Sequence, residues 1–385
     1  MIEGIIGEWV VTESDYSLLD LELKGIGIKY KYNQDRIEFE KYSDDLLRVA
    51  HLKFIKDKKT HYFQFIEKFQ DLNNYSFHGI VPYKGKFYPR LPRNIINYFS
   101  LKKNSWILDP FCGCGTTNLE AQLMGINSVG FDISLYAYII SKIKTELIEL
   151  NLKLIDLSDS YILKQYRAIE KGTIKADKNT WELLLLLCYL DVCDLKSRIN
   201  KEVSLFYLFK TKIKKIVRMT NDSRDILYKN KIKPGKSLIL NKSIMHSENL
   251  FEKKFDAIIT SPPYLYSLDY LIRNKFFNQY FKVNVNEIKK LELGRCSKSR
   301  NAVEAFQYEL GIVLKIFDRL TKKNGKIGIV MGDSQFQGRT VKNSRFIIEE
   351  GVKIGWNIVN IINNPIIGKR TKNIFQESII LFNKS

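Results

Sequence analysis

The spacing of hydrophobic and polar positions changes character near residue 105. From there SWILDPF predicts a short apolar strand, TTNLEAQLMG a helix that ends at Gly125, and NSVGFD a second strand. SLYAYIISKIKTELIELNL then predicts a long helix that begins at Ser134. An order of β-α-β-α is typical of a parallel sheet whose strands are joined by helical crossovers.

Residues 151 to about 236 interrupt this alternation with mostly helical sequence, in which TWELLLLLCYLDVCDL is apolar enough for a buried helix. The strand pattern resumes at SLILNKSIM and FDAIIT. We predict a helix over 302–323 that stops at Asn324-Gly325, then a strand at KIGIVMGD, a helix at VKNSRFIIEEGVKIG, and closing strands at WNIVNII and ESIILFN. One α/β sheet of about seven strands, split by an insertion, accounts for this pattern.

Three regions follow from the pattern. Residues 1–75 mix short strand-like and helical pieces, such as GIGIKYKY and SDDLLRVAHLKFIK, and their role is unclear. Residues 76–150 and 237–385 carry the alternation of strands and helices, and we predict that they form one catalytic domain. Residues 151–236 are the basic helical insertion.

The charge of the chain favours a polyanionic partner. Lys and Arg number 62 against 42 acidic residues, for a net charge of +20. Nucleic acid is the usual partner of such a protein, although a general bias towards lysine would give the same excess. Residues 196–236 hold 13 Lys or Arg and 3 acidic residues, interleaved with Leu205, Phe206, Tyr207, Phe209 and Tyr228. This mixture suits a groove that follows phosphates, and a solvated helix face would look alike.

Targeting and redox features are few. No window approaches the roughly 18 apolar residues of a transmembrane helix, and the N-terminus has no pattern of a signal peptide, so no membrane partner is expected. The five cysteines are an odd number without metal-type spacing. We expect Cys112 and Cys114 to be reduced, and the location to be cytoplasmic.

DPFCGCGTT, residues 109–117, lies between the first predicted strand and its helix. Its glycines let the backbone approach a ligand closely, but Asn118 stands at the third glycine position of the dinucleotide pattern. Asp109 suits a cationic ligand group, and Asp132 is placed to hold a ribose diol. S-adenosylmethionine, a nucleoside with a positive centre and no phosphates, fits both. An ordinary βα turn with an acidic N-cap is the alternative.

The strand FDAIIT leads into Ser261-Pro262-Pro263-Tyr264. Two prolines end a strand because each lacks an N–H and fixes its own φ, and the residue before them is held extended. The stretch is either a rigid turn or a site whose polar groups must not move, and these residues alone leave both interpretations open.

Together DPFCGCGTT, TSPPY and HGIVPYKGKFYPRLPRNII (78–96) resemble the amino-group DNA methyltransferases, which methylate cytosine N4 or adenine N6. The resemblance covers roughly 78–135 and 238–385. It implies a Rossmann-like, S-adenosylmethionine-dependent methyltransferase sheet and a reaction that needs no metal. It also implies a set of cofactor-binding residues: Lys86, Phe87, Tyr88, Asp109, Phe111, Gly113, Gly115, Thr116, Thr117 and Asp132.

On this resemblance the catalytic residues are Ser261, Pro262, Pro263 and Tyr264. The Ser261 hydroxyl and the Pro262 carbonyl are expected to accept the N–H groups of an exocyclic amine, so that its lone pair faces the methyl group. Tyr264 is expected to stack on the base, which must leave the duplex to reach it. Serine in the first position favours cytosine N4, with adenine N6 as the alternative. At the third strand end, where relatives often carry an acidic residue for the adenine, this chain has Asn241-Lys242-Ser243.

Double-stranded DNA is the expected substrate, and a restriction endonuclease for the same site would be a separate chain. The basic insertion is the candidate target-recognition region, with residues 1–75 as the alternative. Asp333, at a later strand end, either orders the site or caps a turn. Residues after the tetrapeptide are predicted to contact DNA, although a solvated loop is equally compatible with their charge: Arg273, Arg295, Lys298 and Arg300.

Three other functions fit the sequence less well. A nicotinamide-dependent oxidoreductase is disfavoured by the missing third glycine and by TSPPY, which has no role there. An RNA methyltransferase would share the chemistry and the charge, but no separate RNA-binding module is recognisable. An inactive DNA-binding homologue would have little reason to keep Asp109, Asp132 and Ser261-Pro-Pro-Tyr264 together.

Overall fold

The computed structural model describes residues 2–83, 85–174, 179–199, 202–246, 251–265, 275–291, 293, 302–336, 338–363 and 374–385. Within these residues the chain forms two β-sheets, one antiparallel and small, the other mostly parallel and large.

The small sheet is built from the N-terminal residues, in the strand order β2-β3-β1-β4-β5. The elements of this region are β1 (Ile2–Ile6), α1 (Glu13–Ile26), β2 (Tyr30–Asn33), β3 (Arg36–Phe39), β4 (Leu52–Ile55), β5 (Lys58–Lys59) and α2 (His61–Phe69). SDDLLRVAHLKFIK, expected to be helical in part, forms one 3₁₀ turn and then β4. Pairing of β4 with β1 buries Leu52 and Ile55, and this tertiary gain overrides the local helical preference.

The large sheet contains the alternation predicted from residue 105 onwards. The remaining elements are α3 (Arg90–Tyr98), β6 (Trp106–Asp109), α4 (Thr116–Leu123), β7 (Asn127–Phe131), α5 (Leu135–Leu147), α6 (Asp159–Glu170), α7 (Thr180–Arg198), α8 (Leu205–Lys229), β8 (Ser237–Leu240), β9 (Phe255–Thr260), α9 (Lys275–Tyr280), α10 (Val285–Leu291), α11 (Ala302–Leu320), β10 (Thr321–Phe336), β11 (Arg339–Val341), α12 (Asn343–Ile354), β12 (Trp356–Asn363) and β13 (Ile374–Lys384).

Seven strands lie side by side in the order β12-β13-β10-β9-β6-β7-β8, and β11 pairs with the end of β10. The strands from β10 to β8 are parallel, whereas β13 pairs antiparallel with both β10 and β12. The predicted fold class, an α/β sheet of about seven strands with a helical insertion, is confirmed.

Strand β9 lies at the centre of this sheet and is buried on both faces. Ala257 and Ile259 pack in the hydrophobic layer that contains α3, and Ile258 packs in the opposite layer with α11. Successive side chains of a strand point to opposite faces, so a strand covered on both sides is apolar at every position. The run AIIT therefore predicts the central position that β9 has.

The end of α11 differs from the prediction. The helix ends at Leu320, before the predicted stop at Asn324-Gly325, and β10 begins at Thr321. The Thr321 hydroxyl donates to the Phe317 carbonyl at 2.6 Å, and Thr321 pairs with Phe255 of β9. Pairing with the central strand begins before the local stop signal is reached.

The insertion consists of α6, α7 and α8. Several of its cations form ion pairs within the insertion. Lys210 and Lys214 pair with Asp159, and Lys212 pairs with Asp191. Phe209 is fully buried, so it serves the core. Some of the aromatic residues interleaved with the basic ones therefore belong to the hydrophobic core. The large aromatic side chains that α8 exposes to solvent are Tyr207 and Tyr228.

Helix α7 is the apolar helix predicted at TWELLLLLCYLDVCDL, and its residues from Leu183 to Cys188 are buried. It contacts α5, α8 and α9. Among the described helices, none combines the length and the apolar character that crossing a membrane requires.

Candidate active site

Two distant parts of the sequence meet at the carboxyl edge of the large sheet. The neighbouring parallel strands β6 and β9 end in Asp109 and Thr260. The Thr260 hydroxyl donates to Asp109 Oδ1 at 2.7 Å, and the Phe111 N–H donates to the same oxygen at 3.2 Å. The glycine loop and the Ser-Pro-Pro-Tyr tetrapeptide, which follows Thr260, are therefore held together. Thr260 was missed by the sequence analysis because its partner is 151 positions away.

Burial dominates the acidity of Asp109, whose side chain is almost fully enclosed. Loss of hydration raises the pKa of this carboxyl to about 6, although the donors from Thr260 and Phe111 act in the opposite direction. A carboxyl of this kind binds a proton more tightly in the folded chain than in the unfolded chain. Its contribution to stability is therefore present below the ordinary pKa of 3.8 and is lost as the pH rises through about 6.

We expect Asp109→Asn to unfold at higher urea concentration than the wild type above pH ~7, by up to about 3 kcal/mol in the free energy of unfolding. Asn keeps the acceptor oxygen for Thr260 and Phe111 and removes the buried charge. The advantage is expected to vanish near pH ~4, where both side chains are neutral. Urea titrations of the free protein across this range measure it.

Asp159→Asn is the control, because the contribution of Asp159 to stability changes with pH in the opposite direction. Hydrogen bonds from Lys210 and Lys214 lower the pKa of Asp159, so its stabilisation is present above its ordinary pKa and is lost as the pH falls. An Asp109→Asn variant that is less stable than the wild type at every pH would contradict the buried-charge argument.

The glycine loop itself is shaped by backbone contacts. Asp132, directly after β7, accepts from the Gly113 N–H at 2.9 Å and from the Ser134 N–H at 2.8 Å. Gly115 has φ +72°, and a Cβ there would lie 2.7 Å from the Ser141 Cβ. Only glycine is compatible with both constraints.

The other predicted loop residues lie around this turn. Thr116 and Thr117 are the buried first residues of α4, and Phe111 packs in the hydrophobic layer of α11. Asn241, which follows β8, donates to the Asp132 carbonyl at 2.9 Å. In the described part of the chain Cys112 and Cys114 are free thiols, as predicted.

The segment 78–96 covers the glycine loop. A Cβ on Gly113 would lie 3.6 Å from the ring of Tyr83, which stacks on Tyr136 at 6.2 Å between ring centres. The Lys86 ammonium donates to the Asn73 carbonyl at 2.6 Å and to the Asn74 side chain, and burial lowers the pKa of Lys86 to about 8. Neighbours of Lys86 are partly buried against the hydrophobic layer of α3: Phe87 and Tyr88.

A buried polar cluster anchors this segment to α4. Glu120 accepts from Arg93 Nε at 2.6 Å, lies 2.7 Å from His78 Nε2, and accepts from the hydroxyl of Tyr75. Burial alone would raise the pKa of Glu120, but the charge of Arg93 and these hydrogen bonds hold it below its usual value. Sequence patterns did not predict this cluster, although two of its members lie inside the 78–96 motif.

The tetrapeptide leads directly away from β9. Pro262 is buried, and Ser261, Pro263 and Tyr264 are partly buried. Ser261 Oγ lies 3.2 Å from the Tyr264 hydroxyl, which donates to Glu377 Oε1 of β13 at 2.6 Å. Glu377 was not predicted, because 113 positions separate it from Tyr264.

Other predicted residues lie elsewhere. The almost fully buried Asp333 accepts from the Ser344 N–H at 2.9 Å and so caps the start of α12. This contact supports its interpretation as a cap. The four predicted DNA contacts lie outside the described residues: Arg273, Arg295, Lys298 and Arg300.

Comparison with known proteins finds similarity to methyltransferases. A family described as DNA methylase matches residues 9–142, and one described as RMKL-like, methyltransferase domain matches 81–206. The type II methyltransferase M.BsoBI of Geobacillus stearothermophilus is 25% identical over 291 residues, which is 60% of this chain. M.MjaII of Methanocaldococcus jannaschii, also a type II methyltransferase, is 35% identical over 173 residues, 40% of this chain. Over these stretches the chain is similar to amino-methyltransferases.

The matched part of the chain spans 57% and 31% of the length of these two relatives. These matches confirm the predicted resemblance and agree with the predicted cofactor, S-adenosylmethionine. Among solved structures, the rRNA methyltransferase AviRa of Streptomyces viridochromogenes aligns with 79% of this chain and 87% of its own at a TM-score of 0.37 and 11% identity.

Proposed function

We propose that the chain transfers a methyl group from S-adenosylmethionine to an exocyclic amine of a base in duplex DNA. Cytosine N4 is the favoured target, with adenine N6 as the alternative, and a restriction endonuclease for the same site is proposed as a separate partner. The observation that carries the proposal is the Thr260–Asp109 hydrogen bond, which joins the glycine loop to the tetrapeptide at one sheet edge. Cofactor and amine would meet at that edge.

The residues around the glycine loop fit the cofactor chemically. Two carboxylates, Asp109 and Asp132, stand at its ends, and no Lys or Arg lies between residues 109 and 117. This set suits a cation with a hydroxyl-bearing sugar and disfavours a pyrophosphate. The glycines leave room against the backbone, and Tyr83 and Tyr136 form an aromatic wall beside Gly113. We therefore assign the cofactor to this loop, with Asp132 towards the ribose.

We also propose that the segment covering the loop contacts the cofactor, through Lys86, Phe87 and Tyr88. The remaining residues of the proposed cofactor site lie in the glycine loop and at the start of α4: Phe111, Gly113, Gly115, Thr116 and Thr117. Bound S-adenosylmethionine supplies a methyl group on a positively charged sulfur.

The tetrapeptide would make the amine nucleophilic. The lone pair of an exocyclic amine is conjugated with the base ring, which makes it a weak nucleophile. The Ser261 hydroxyl and the Pro262 carbonyl would accept its two N–H groups, draw the nitrogen towards a tetrahedral shape, and stabilise the positive charge that develops there. The two prolines and the Thr260 hydrogen bond keep these acceptors from relaxing. Tyr264 would stack on the flipped base.

Charge supports DNA as the substrate. The net charge is +20, and α8 exposes cations such as Lys215 and Arg218 beyond those that pair within the insertion. Cations of this kind bind the phosphate backbone without regard to sequence. We assign target recognition to the insertion, with the N-terminal sheet as the alternative.

One relative favours a second candidate function. A tRNA (guanine(10)-N2)-dimethyltransferase of Methanothermobacter thermautotrophicus is 47% identical over 51 residues, 13% of this chain. RNA is therefore the alternative substrate, and its exocyclic amine would meet the same tetrapeptide.

Incubation with labelled S-adenosylmethionine and either mixed-sequence duplex DNA or total RNA tests the proposal. We expect label in DNA, recovered after digestion as N4-methylcytosine. Recovery of N6-methyladenine would keep the mechanism and change the base, whereas label in RNA alone would overturn the DNA assignment. Ser261→Ala protein, purified in parallel, controls for methyltransferases of the expression host.

A further inference from the structure

The hydroxyl of Tyr264 joins two residues that the sequence separates widely. It lies 3.2 Å from Ser261 Oγ on one side and 2.6 Å from Glu377 Oε1 on the other. Glu377 pairs with Gly332 of β10, and β10 is the neighbour of β9, which carries the tetrapeptide. Strand β13, which is separated from β9 by β10, thus brings a carboxylate to the end of a chain of two hydroxyls.

The chemistry of the three groups gives this chain a direction. An ionised carboxylate is only an acceptor, so Tyr264 must donate its single proton to Glu377. The lone pairs of the Tyr264 oxygen then face Ser261, and Ser261 donates its proton to Tyr264. Ser261 Oγ is left with lone pairs for an incoming N–H. The distance of 3.2 Å is long for an O–H···O bond, and such bonds commonly shorten when the substrate is bound.

We propose that Glu377 fixes this direction and receives, through Tyr264 and Ser261, the proton that the amine must lose. The proposal rests on the proposed function, methylation of an exocyclic amine. Glu377 is then a positioning residue and a proton acceptor that does not itself touch the base.

The nitrogen lone pair forms the new C–N bond while the C–S bond breaks, and that electron pair stays on sulfur. The nitrogen now carries a positive charge and one proton too many. This proton passes to Ser261 Oγ as the Ser261 proton moves to Tyr264 and the Tyr264 proton moves to Glu377. The product is a neutral methylamine and a carboxylic acid, which returns its proton to water from its partly exposed position.

The strands on either side of β13 place other polar groups beside Glu377. Asp333 is one position beyond Gly332 on β10, and its carboxylate is bonded to the Ser344 N–H of α12. On the other side, β12 places Asn363 opposite Ser378. Since Asp333 is present in every variant below, a pH effect that disappears with Glu377 belongs to Glu377.

Single-turnover methylation of duplex DNA at saturating cofactor, measured across pH in H₂O and D₂O, tests the relay. We expect the wild-type rate to fall on the acid side as Glu377 takes up a proton. Glu377→Gln is expected to be slower by about 10²-fold at neutral pH, to lose the acid-side fall, and to show a changed solvent isotope effect. Tyr264→Phe should give a similar loss, and the double variant should add little, since both break the same chain.

Glu350→Gln, on α12 and paired with Lys353, is the matched control and should retain the wild-type rate and pH profile. Equilibrium binding of S-adenosylmethionine is measured for every variant, and we expect Glu377→Gln to bind like the wild type. A wild-type rate and pH profile in Glu377→Gln would overturn the relay, as would a slower rate that keeps the acid-side fall. If wild-type protein methylates no DNA, the proposed function itself is wrong.

Discussion

Ser261→Ala is expected to slow methyl transfer by about 10²- to 10³-fold, the usual effect of removing one group that stabilises charge in a transition state. In the part of the chain that the structure describes, the Ser261 hydroxyl is bonded to Tyr264, so cofactor binding should stay as in the wild type. Single-turnover rates and equilibrium dialysis with S-adenosylmethionine measure the two quantities separately.

Ser160→Ala, at an exposed position on α6, is the control for serine removal as such. A Ser261→Ala protein with the wild-type rate would exclude the hydroxyl as an acceptor for the amine and would leave the Pro262 carbonyl alone in that role. Loss of cofactor binding would instead indicate that the tetrapeptide supports the glycine loop.

Glu120→Ala is expected to lower the free energy of unfolding by about 3–5 kcal/mol, because it leaves the Arg93 charge buried without a partner. Arg93 is 1% exposed and Glu120 is fully buried, and their atoms are 2.6 Å apart. His78 and Tyr75 lose an acceptor in the same substitution. Urea unfolding followed by circular dichroism measures the loss.

Glu349→Ala is a matched control. Glu349 pairs with Arg345 at 2.7 Å, nearly the same distance, but both side chains are more than half exposed. Water screens such a pair, so little change in stability is expected. Equal effects of Glu120→Ala and Glu349→Ala would show that burial does not set the strength of the Arg93–Glu120 interaction.

Local sequence signals predicted the core of the fold well. Ser134 caps α5 through a bond from the Ala137 N–H, and Gly125 has the positive φ of a helix end at +75°. Each of these signals acts within four residues of the chain, so a single sequence contains it. The apolar run of β9 and the glycine loop are also local signals of this kind.

What the sequence did not predict depends on long-range contacts. The small N-terminal sheet has strands of two to five residues, too short for a clear period, and β1 pairs with both β3 and β4. Thr260, Glu120 and Glu377 act through partners far along the chain. The mixture of aromatic and basic residues in α8 suggested a nucleic-acid groove, but Phe209 is buried in the core. The order of residues along the chain does not show which face of the helix a side chain occupies.

The position of β9 has a consequence for how the molecule opens. From Ala257 to Thr260 every side chain is fully buried, and the backbone is paired on one side with β6 and on the other with β10. Amides in such a strand exchange with solvent mainly through global unfolding, whereas frayed ends and loops open at small cost. The acceptors of the tetrapeptide are therefore attached to the part of the backbone that opens last. Their alignment persists through local fluctuations and is lost only when the whole sheet melts.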